Sequence, residues 1–337
     1  MDSPGSASTL PVLSVRGIRK AFKDRVAVED LSFDVQPGEI FGFLGPNGAG
    51  KTTSLRMILG ITHPDRGSVL FEGQPQAPRS RLGYLPEERG LFEDQKVIDT
   101  LAYLGELRAM RSRDARAAGL AWLERLGLAD RAKSKLNELS KGMQQKIQFA
   151  AAVLHAPTLA VLDEPFSGLD PLNQELFLEI VRELRDRGTT VLFSAHQLNL
   201  VERLCDRFLL IARGREVITG SLDAMRRTIT GGATETLVLE LAGRNGGAAP
   251  DAPSARAAFG QAGVTGLLKV ENLPAGRLRV EAGLAPQQDI GPALAALGGR
   301  FAIVGIETAP ISLHEIYLRA VRSALGESAL EEEALHV

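Results

Sequence analysis

The chain has 337 residues, 44% hydrophobic and 24% charged, with a formal net charge of −2 and one cysteine, Cys205. That length accommodates two domains, or one large and one small, and the near-balanced charge lacks the basic surplus of an electrostatic nucleic-acid binder. A lone cysteine excludes an intrachain disulfide or a cysteine-based zinc cluster, and Cys205 reads as a small core residue near the end of an amphipathic helix.

Residues 1–11, rich in Ser, Pro and Gly, read as a disordered start without the basic and apolar regions of a secretory leader. No apolar run reaches the roughly 18 residues of a membrane span. Ile147–Leu162 comes closest, and Gln148, His155 and Pro157 interrupt it. Val12–Arg19 and Val26–Val35 alternate apolar and polar residues, as half-buried strands do. Ile40–Leu44 is a continuous apolar run and reads as a buried strand; Ser54–Leu59 has helical spacing. Gly67–Gly73 and Arg81–Pro86 read as short strands. From Val97 to Leu154 the pattern is helical, rich in Ala, Leu, Arg and Glu, which predicts a helical subdomain over about 97–155. Strand patterns return at Leu159–Leu162, Thr189–Ser194 and Phe208–Ala212, with a helix at Pro171–Arg187. Alternating strands and helices predict a mostly parallel sheet covered by helices.

The composition shifts near Thr230-Gly231-Gly232. Strands at Glu235–Leu241, Gly266–Glu271, Leu278–Ala282 and Phe301–Glu307, with helices at Ala255–Ala262 and Pro286–Leu297, predict a ferredoxin-like α/β sandwich. Ile311–Leu325 closes it with a helix. The expected division is a first domain over 12–229, an accessory domain over 230–325 and an acidic tail over 326–337.

Between the Ile40–Leu44 strand and the next helix lies Gly45-Pro46-Asn47-Gly48-Ala49-Gly50-Lys51-Thr52-Thr53. This is a phosphate-binding loop in the context it requires. Its glycines let backbone N–H groups approach phosphate oxygens closely, and the helix aims its positive end at the same place. In such a loop Lys51 reaches the β- and γ-phosphates and the Thr52 hydroxyl ligates Mg²⁺. Leu159–Asp163 is an apolar run ending in acid, with Glu164 next. Asp163 can hold Mg²⁺ through a water, and Glu164 can act as general base on an attacking water. His196 follows the Thr189–Ser194 strand; by composition alone it reads as an incidental surface residue, and by its place at the sheet edge where such folds bind ligands it could hydrogen-bond a γ-phosphate. Ser140, within Leu139-Ser140-Lys141-Gly142-Met143-Gln144-Gln145, is an N-cap candidate for the helix expected at Lys146–Leu154. It also marks a second anion site.

In that order these motifs resemble the ATP-binding subunit of an ATP-binding-cassette (ABC) transporter, over about Val12 to Arg227. The resemblance implies a phosphate-loop NTPase core of α/β class with antiparallel β and helical subdomains, followed by the small ferredoxin-like α+β domain. It implies ATP and Mg²⁺ as nucleotide and cofactor. It also implies head-to-tail pairing with a second ATPase subunit, identical or related, so that Ser140, Lys141, Gly142, Met143 and Gln144 form a signature loop on the partner's ATP. Phe22 then matches the aromatic that stacks on adenine; its other reading is a strand-core residue. Ser167-Gly168-Leu169-Asp170 matches the dimer-contact loop, and His196 the switch histidine. Lys51, Glu164 and His196 are the expected catalytic set, and Thr52, Asp163 and Glu87 the expected metal set.

Lys141 and Met143 stand where the commonest signature has Gly and Gln, and Glu87 stands where most members have glutamine. Gly83–Phe92 resembles the variant of bacterial sodium- and drug-exporting ATPases, and the C-terminal unit with Ser312–Leu318 resembles their appended domain. The expected function is ATP hydrolysis that drives a separately encoded membrane permease, in the direction of export, from a peripheral position on the cytoplasmic face. A soluble cassette acting on ribosomes or DNA would bring paired cassettes, coiled coils or a basic footprint, none of which this sequence offers. A non-hydrolysing regulatory subunit sits poorly with the presence of Lys51, Asp163, Glu164 and His196.

Overall fold

The computed structural model describes residues 10–325 except 24, 89, 196, 234, 245–249, 262–265 and 286–287. Residues 1–9 of the expected disordered start over 1–11, and the expected acidic tail over 326–337, therefore lie outside the described residues. The chain divides into two compact units, the second being Gly220–Ala320.

The first unit runs β1 (Leu13–Phe22), β2 (Arg25–Val35), β3 (Ile40–Leu44), α1 (Lys51–Ile58), β4 (Arg66–Phe71), β5 (Leu82–Leu85), α2 (Val97–Glu106), α3 (Ser112–Arg125), α4 (Lys141–Val153), β6 (Leu159–Asp163), α5 (Pro171–Asp186), β7 (Thr190–Ser194), α6 (Leu198–Leu204), β8 (Arg207–Ala212) and β9 (Arg215–Gly220). A nine-stranded sheet has the order β4-β1-β2-β9-β8-β3-β7-β6-β5. It is mixed: β3, β5, β6, β7 and β8 pair in parallel, whereas β1 pairs antiparallel with both β2 and β4. The unbroken apolar runs of β3, β6 and β7 are buried at every position, as strands covered on both faces must be.

Phe33, Phe41 and Phe43 anchor the core beneath the phosphate loop, the Phe33 and Phe41 rings stacked at 5.5 Å. In the register of the central strands Phe43 lies beside Ser194 and Ser194 beside Asp163. The carboxyl ends of β3, β7 and β6 therefore share one sheet edge. The helical stretch after Val97 is α2, α3 and α4, with short 3₁₀ turns at Ala129–Arg131 and Leu136–Glu138.

In the second unit α7 (Leu222–Thr230) precedes β10 (Glu235–Ala242), α8 (Ala252–Gln261), β11 (Gly266–Leu273), β12 (Arg277–Leu284), α9 (Gly291–Arg300) and β13 (Ala302–Pro310); α10 (Leu313–Leu325) follows. The sheet order β11-β12-β10-β13, antiparallel throughout, is the split βαβ ferredoxin-like arrangement. Its core comes from alternation: Leu237, Leu239 and Leu241 of β10 are fully buried with Val280, Phe259 and Leu297.

Candidate functional site

The loop after β3 is shaped by glycine where a side chain cannot fit. Gly50, the residue before α1, has φ 103°, and a Cβ there would lie 2.4 Å from the carbonyl oxygen of Ala27. Lys51, Thr52 and Thr53 form the first turn of α1, which starts three residues before the apolar spacing predicts. Their backbone N–H groups are therefore part of the helix's positive end. Lys51 Nζ donates to the carbonyls of Gly45 at 2.6 Å and Pro46 at 3.2 Å, which keeps the ammonium over the loop.

A cleft of about 480 Å³ opens over this loop, lined by Pro46, Asn47, Gly48, Gly50, Lys51, Thr52 and Thr53. Phe22, Glu87, Asp163 and Glu164 complete much of its wall. Asp163 is 1% exposed. The Ser194 hydroxyl donates to its Oδ1, while Oδ2 is buried without a hydrogen-bond partner. Glu164 has φ 51°, a left-handed conformation rare outside glycine and worth about 1–3 kcal/mol of strain. Its N–H donates to the Ser194 carbonyl at 3.2 Å, which holds the turn against β7.

Phe22 is 51% exposed at the end of β1, which excludes the strand-core reading. Arg25 and Ala27 also line the cleft, and sequence pattern singled out neither. The available signal was the hairpin: Arg25 lies directly across from Phe22 in the β1–β2 register.

Ser140 caps α4, its hydroxyl accepting from the Met143 N–H at 3.3 Å. Lys141–Gln144 are thus the first helical turn rather than a loop, and α4 starts five residues before the expected Lys146, because the cap sets the boundary. Gly142 sits tight against the next segment: a Cβ there would lie 3.3 Å from the Gly168 carbonyl oxygen. Asp170 caps α5 by accepting from the Asn173 N–H at 2.9 Å, and this bond holds its carboxyl below the ordinary value. Ser140–Gln144 and Ser167–Asp170 do not line the cleft of their own chain. His196 lies outside the described residues.

Among the described residues no group of three or more His, Cys, Asp or Glu could enclose a metal ion. Mg²⁺ on a nucleotide needs less, since phosphate and water supply most of its oxygens. The buried, unpartnered Asp163 Oδ2 and the cleft-lining Thr52 and Glu87 are oxygen donors of that kind, so the residues fit the ion.

A glycine loop between a buried strand and a helix N-terminus, facing an acid on a parallel strand, defines a phosphate-loop nucleotide-binding protein. The model of the family described as ABC transporter matches residues 28–167. An uncharacterised ABC transporter ATP-binding protein of Bacillus subtilis is 46% identical over 219 residues, covering 64% of this chain and 74% of that protein. The Nod factor export ATP-binding protein I of Burkholderia lata is 40% identical over 223 residues, covering 64% of this chain and 73% of that protein. A solved structure described as the ATP-binding subunit of an ABC transporter matches with a TM-score of 0.61 at 32% identity, covering 64% of this chain and 92% of that one. The chain belongs to the ABC transporter ATP-binding proteins, and it is an ATPase subunit of a transporter. Among the described residues no helix is long and apolar enough to cross a membrane.

Proposed function

We propose that this chain drives export through a separate membrane permease, closing on ATP as a pair of subunits and reopening after hydrolysis. The observation that carries the reading is the split between two surfaces. Lys51, Thr52, Asp163 and Glu164 line one cleft, while Ser140 and Gly142 at the start of α4 lie outside it. A second copy, or a related subunit, placed head-to-tail would bring its signature turn onto the γ-phosphate, with Ser167–Asp170 at the contact.

Within the cleft Phe22 stacks on adenine, the Gly45–Gly50 loop and Lys51 bind phosphate, and Glu164 accepts the proton of the attacking water. Thr52 and Asp163 would hold Mg²⁺, with Glu87 as a further oxygen ligand. When bound, the ion neutralises charge on the phosphate oxygens. His196 is proposed to bond the γ-phosphate on sequence grounds.

The export direction is supported by the Gly83–Phe92 variant and by the names of the Burkholderia relatives. The second unit is proposed as the accessory domain of exporter subunits. Phe92, Tyr103 and Leu107 are large, exposed apolar residues before, on and just after α2, and the Phe92 and Tyr103 rings meet edge to face at 5.9 Å. That patch is the proposed permease contact, and the proposed location is peripheral, on the cytoplasmic face of the membrane.

Glu164→Gln tests the reading. ATP binding persists, phosphate release falls at least about a hundredfold, and an ATP-dependent dimer accumulates in gel filtration. Turnover equal to wild type would remove Glu164 from its role.

A further inference from the structure

The helix α4 carries glutamines whose side chains donate to backbone carbonyls outside the helix. Gln144 Nε2 donates to the carbonyls of Leu136 at 2.9 Å and Leu139 at 3.2 Å. Gln145, 3% exposed, donates to the carbonyl of Pro165 at 3.1 Å, immediately after Glu164. Gln148, 4% exposed, donates to the carbonyls of Pro86 and Glu88, each at 3.1 Å. Those two carbonyls flank Glu87, which lines the cleft.

Gln148 spends both N–H donors of its amide on this one loop. Its own carbonyl oxygen, Oε1, is buried without a partner. An apolar side chain of similar length would fill the position without that orphaned acceptor. What the amide adds is a fixed position for the backbone on either side of Glu87. Gln145 and Gln148 are three residues apart and so share one face of α4. Ser140, at the helix start, stands about 12 Å along the axis from Gln148.

We infer that Gln148 is a positioning residue that clamps the Glu87 loop to α4, with Gln145 doing the same for the segment after Glu164. These three bonds make the cleft acids and the Ser140 cap parts of one rigid lever. A shift of Glu87 when nucleotide arrives then moves the turn that would meet the other subunit's ATP, without any contact between Gln148 and nucleotide. This inference rests on the proposed site.

The test uses the full chain. Gln148→Met keeps the length and removes both donors. Its kcat for phosphate release should fall about tenfold, with KM for ATP within about twofold of wild type. Combined with Glu87→Ala, it should lower kcat no further than Glu87→Ala alone, because both changes break one linkage. A loss of general packing would instead multiply the two effects. Should Gln148→Met fail to fold, Gln148→Asn retains an amide too short to reach both carbonyls and should show the same fall in kcat. Unchanged kcat in the folded variant, or multiplied losses in the double mutant, overturns the clamp. Lys51→Ala separates the two levels. Turnover that survives it overturns the site itself, whereas turnover lost in Lys51→Ala yet intact in Gln148→Met overturns the clamp alone.

Discussion

The hydroxyl of Ser194, at the end of β7, donates to Oδ1 of Asp163 at the end of β6, and Asp163 Oδ2 is buried and unpartnered. One carboxylate oxygen is thus used to fix the side chain against the neighbouring strand, and the other is left without a partner in a residue that lines the cleft. This is the arrangement a metal-binding carboxylate needs, since orientation is supplied by a group that is not itself a ligand.

Ser194→Ala should therefore raise the Mg²⁺ concentration for half-maximal phosphate release by about tenfold, in the range found for groups that orient metal ligands. It should also lower stability by about 1–3 kcal/mol, because it leaves a buried acceptor without its donor. Phosphate release titrated with Mg²⁺, beside a thermal melt, reads both effects. Chelation with EDTA should abolish turnover in wild type and variant alike, and an unmoved Mg²⁺ midpoint would detach Ser194 from the metal.

Asp65 ties the loop after α1 to the strand that ends in Phe22. It accepts from Lys20 Nζ at 2.7 Å and from the Ala21 N–H at 2.8 Å, and these bonds hold its carboxyl below the ordinary value of 3.8. A carboxyl depressed in the folded state contributes stability above its unfolded value, and that contribution fades as pH falls through the folded one. Asp65→Asn should remove this part of the acid sensitivity. Its melting temperature should lie below wild type at about pH 6 and converge on it as the pH falls below 3.8 and through the lowered folded-state value. Parallel melting curves across that range would contradict the linkage.

Much of the site was legible in the sequence because its chemistry is local. The Gly45–Thr53 loop, the Asp163-Glu164 pair and the Ser140 cap each declare themselves within a few residues, and buried strands such as β3 and β6 read as short apolar runs. The parts that did not read out depend on pairing across the fold. The alternation of strands and helices predicts a mostly parallel sheet, yet β1, β2 and β4 form an antiparallel flank. Strand β9 escaped notice because Arg215–Gly220 has only one buried residue, and its pairing with β2 is a single bridge, Asp30 with Arg215. Helix α4 starts earlier than its apolar spacing because a capping serine, not hydrophobic periodicity, sets its first turn. Gln148 reads as an interruption of an apolar run, and its bonds to Pro86 and Glu88 span about sixty residues of sequence.

Arg25 gives a binding prediction from the same cause. It lines the cleft opposite Phe22 in the hairpin, and a Cβ on Gly48 would lie 3.2 Å from its Nη2. A guanidinium at the rim of a phosphate loop favours an anion by charge and by its fork of donors. Arg25→Ala should weaken ATP binding about three- to tenfold at low salt, and less at high salt, where screening has already reduced the attraction. Adenosine, lacking phosphate, should bind both forms alike. Competition titrations against a fluorescent nucleotide decide it, and equal weakening for adenosine would assign Arg25 to the base instead.

Ser140 has two roles to separate, since its hydroxyl caps α4 through the Met143 N–H and is proposed to meet a second subunit's γ-phosphate. Ser140→Ala removes both and should lower stability by about 1 kcal/mol together with turnover. Ser140→Asn restores a good cap, because asparagine accepts from the same N–H groups. If capping were its whole contribution, the asparagine variant would regain stability and turnover together. The proposed contact predicts that it regains the melting temperature alone. Phosphate release should then stay well below wild type, and in a Glu164→Gln background the ATP-dependent dimer should be lost, because the larger amide occupies the space of the phosphate oxygen that the hydroxyl would meet.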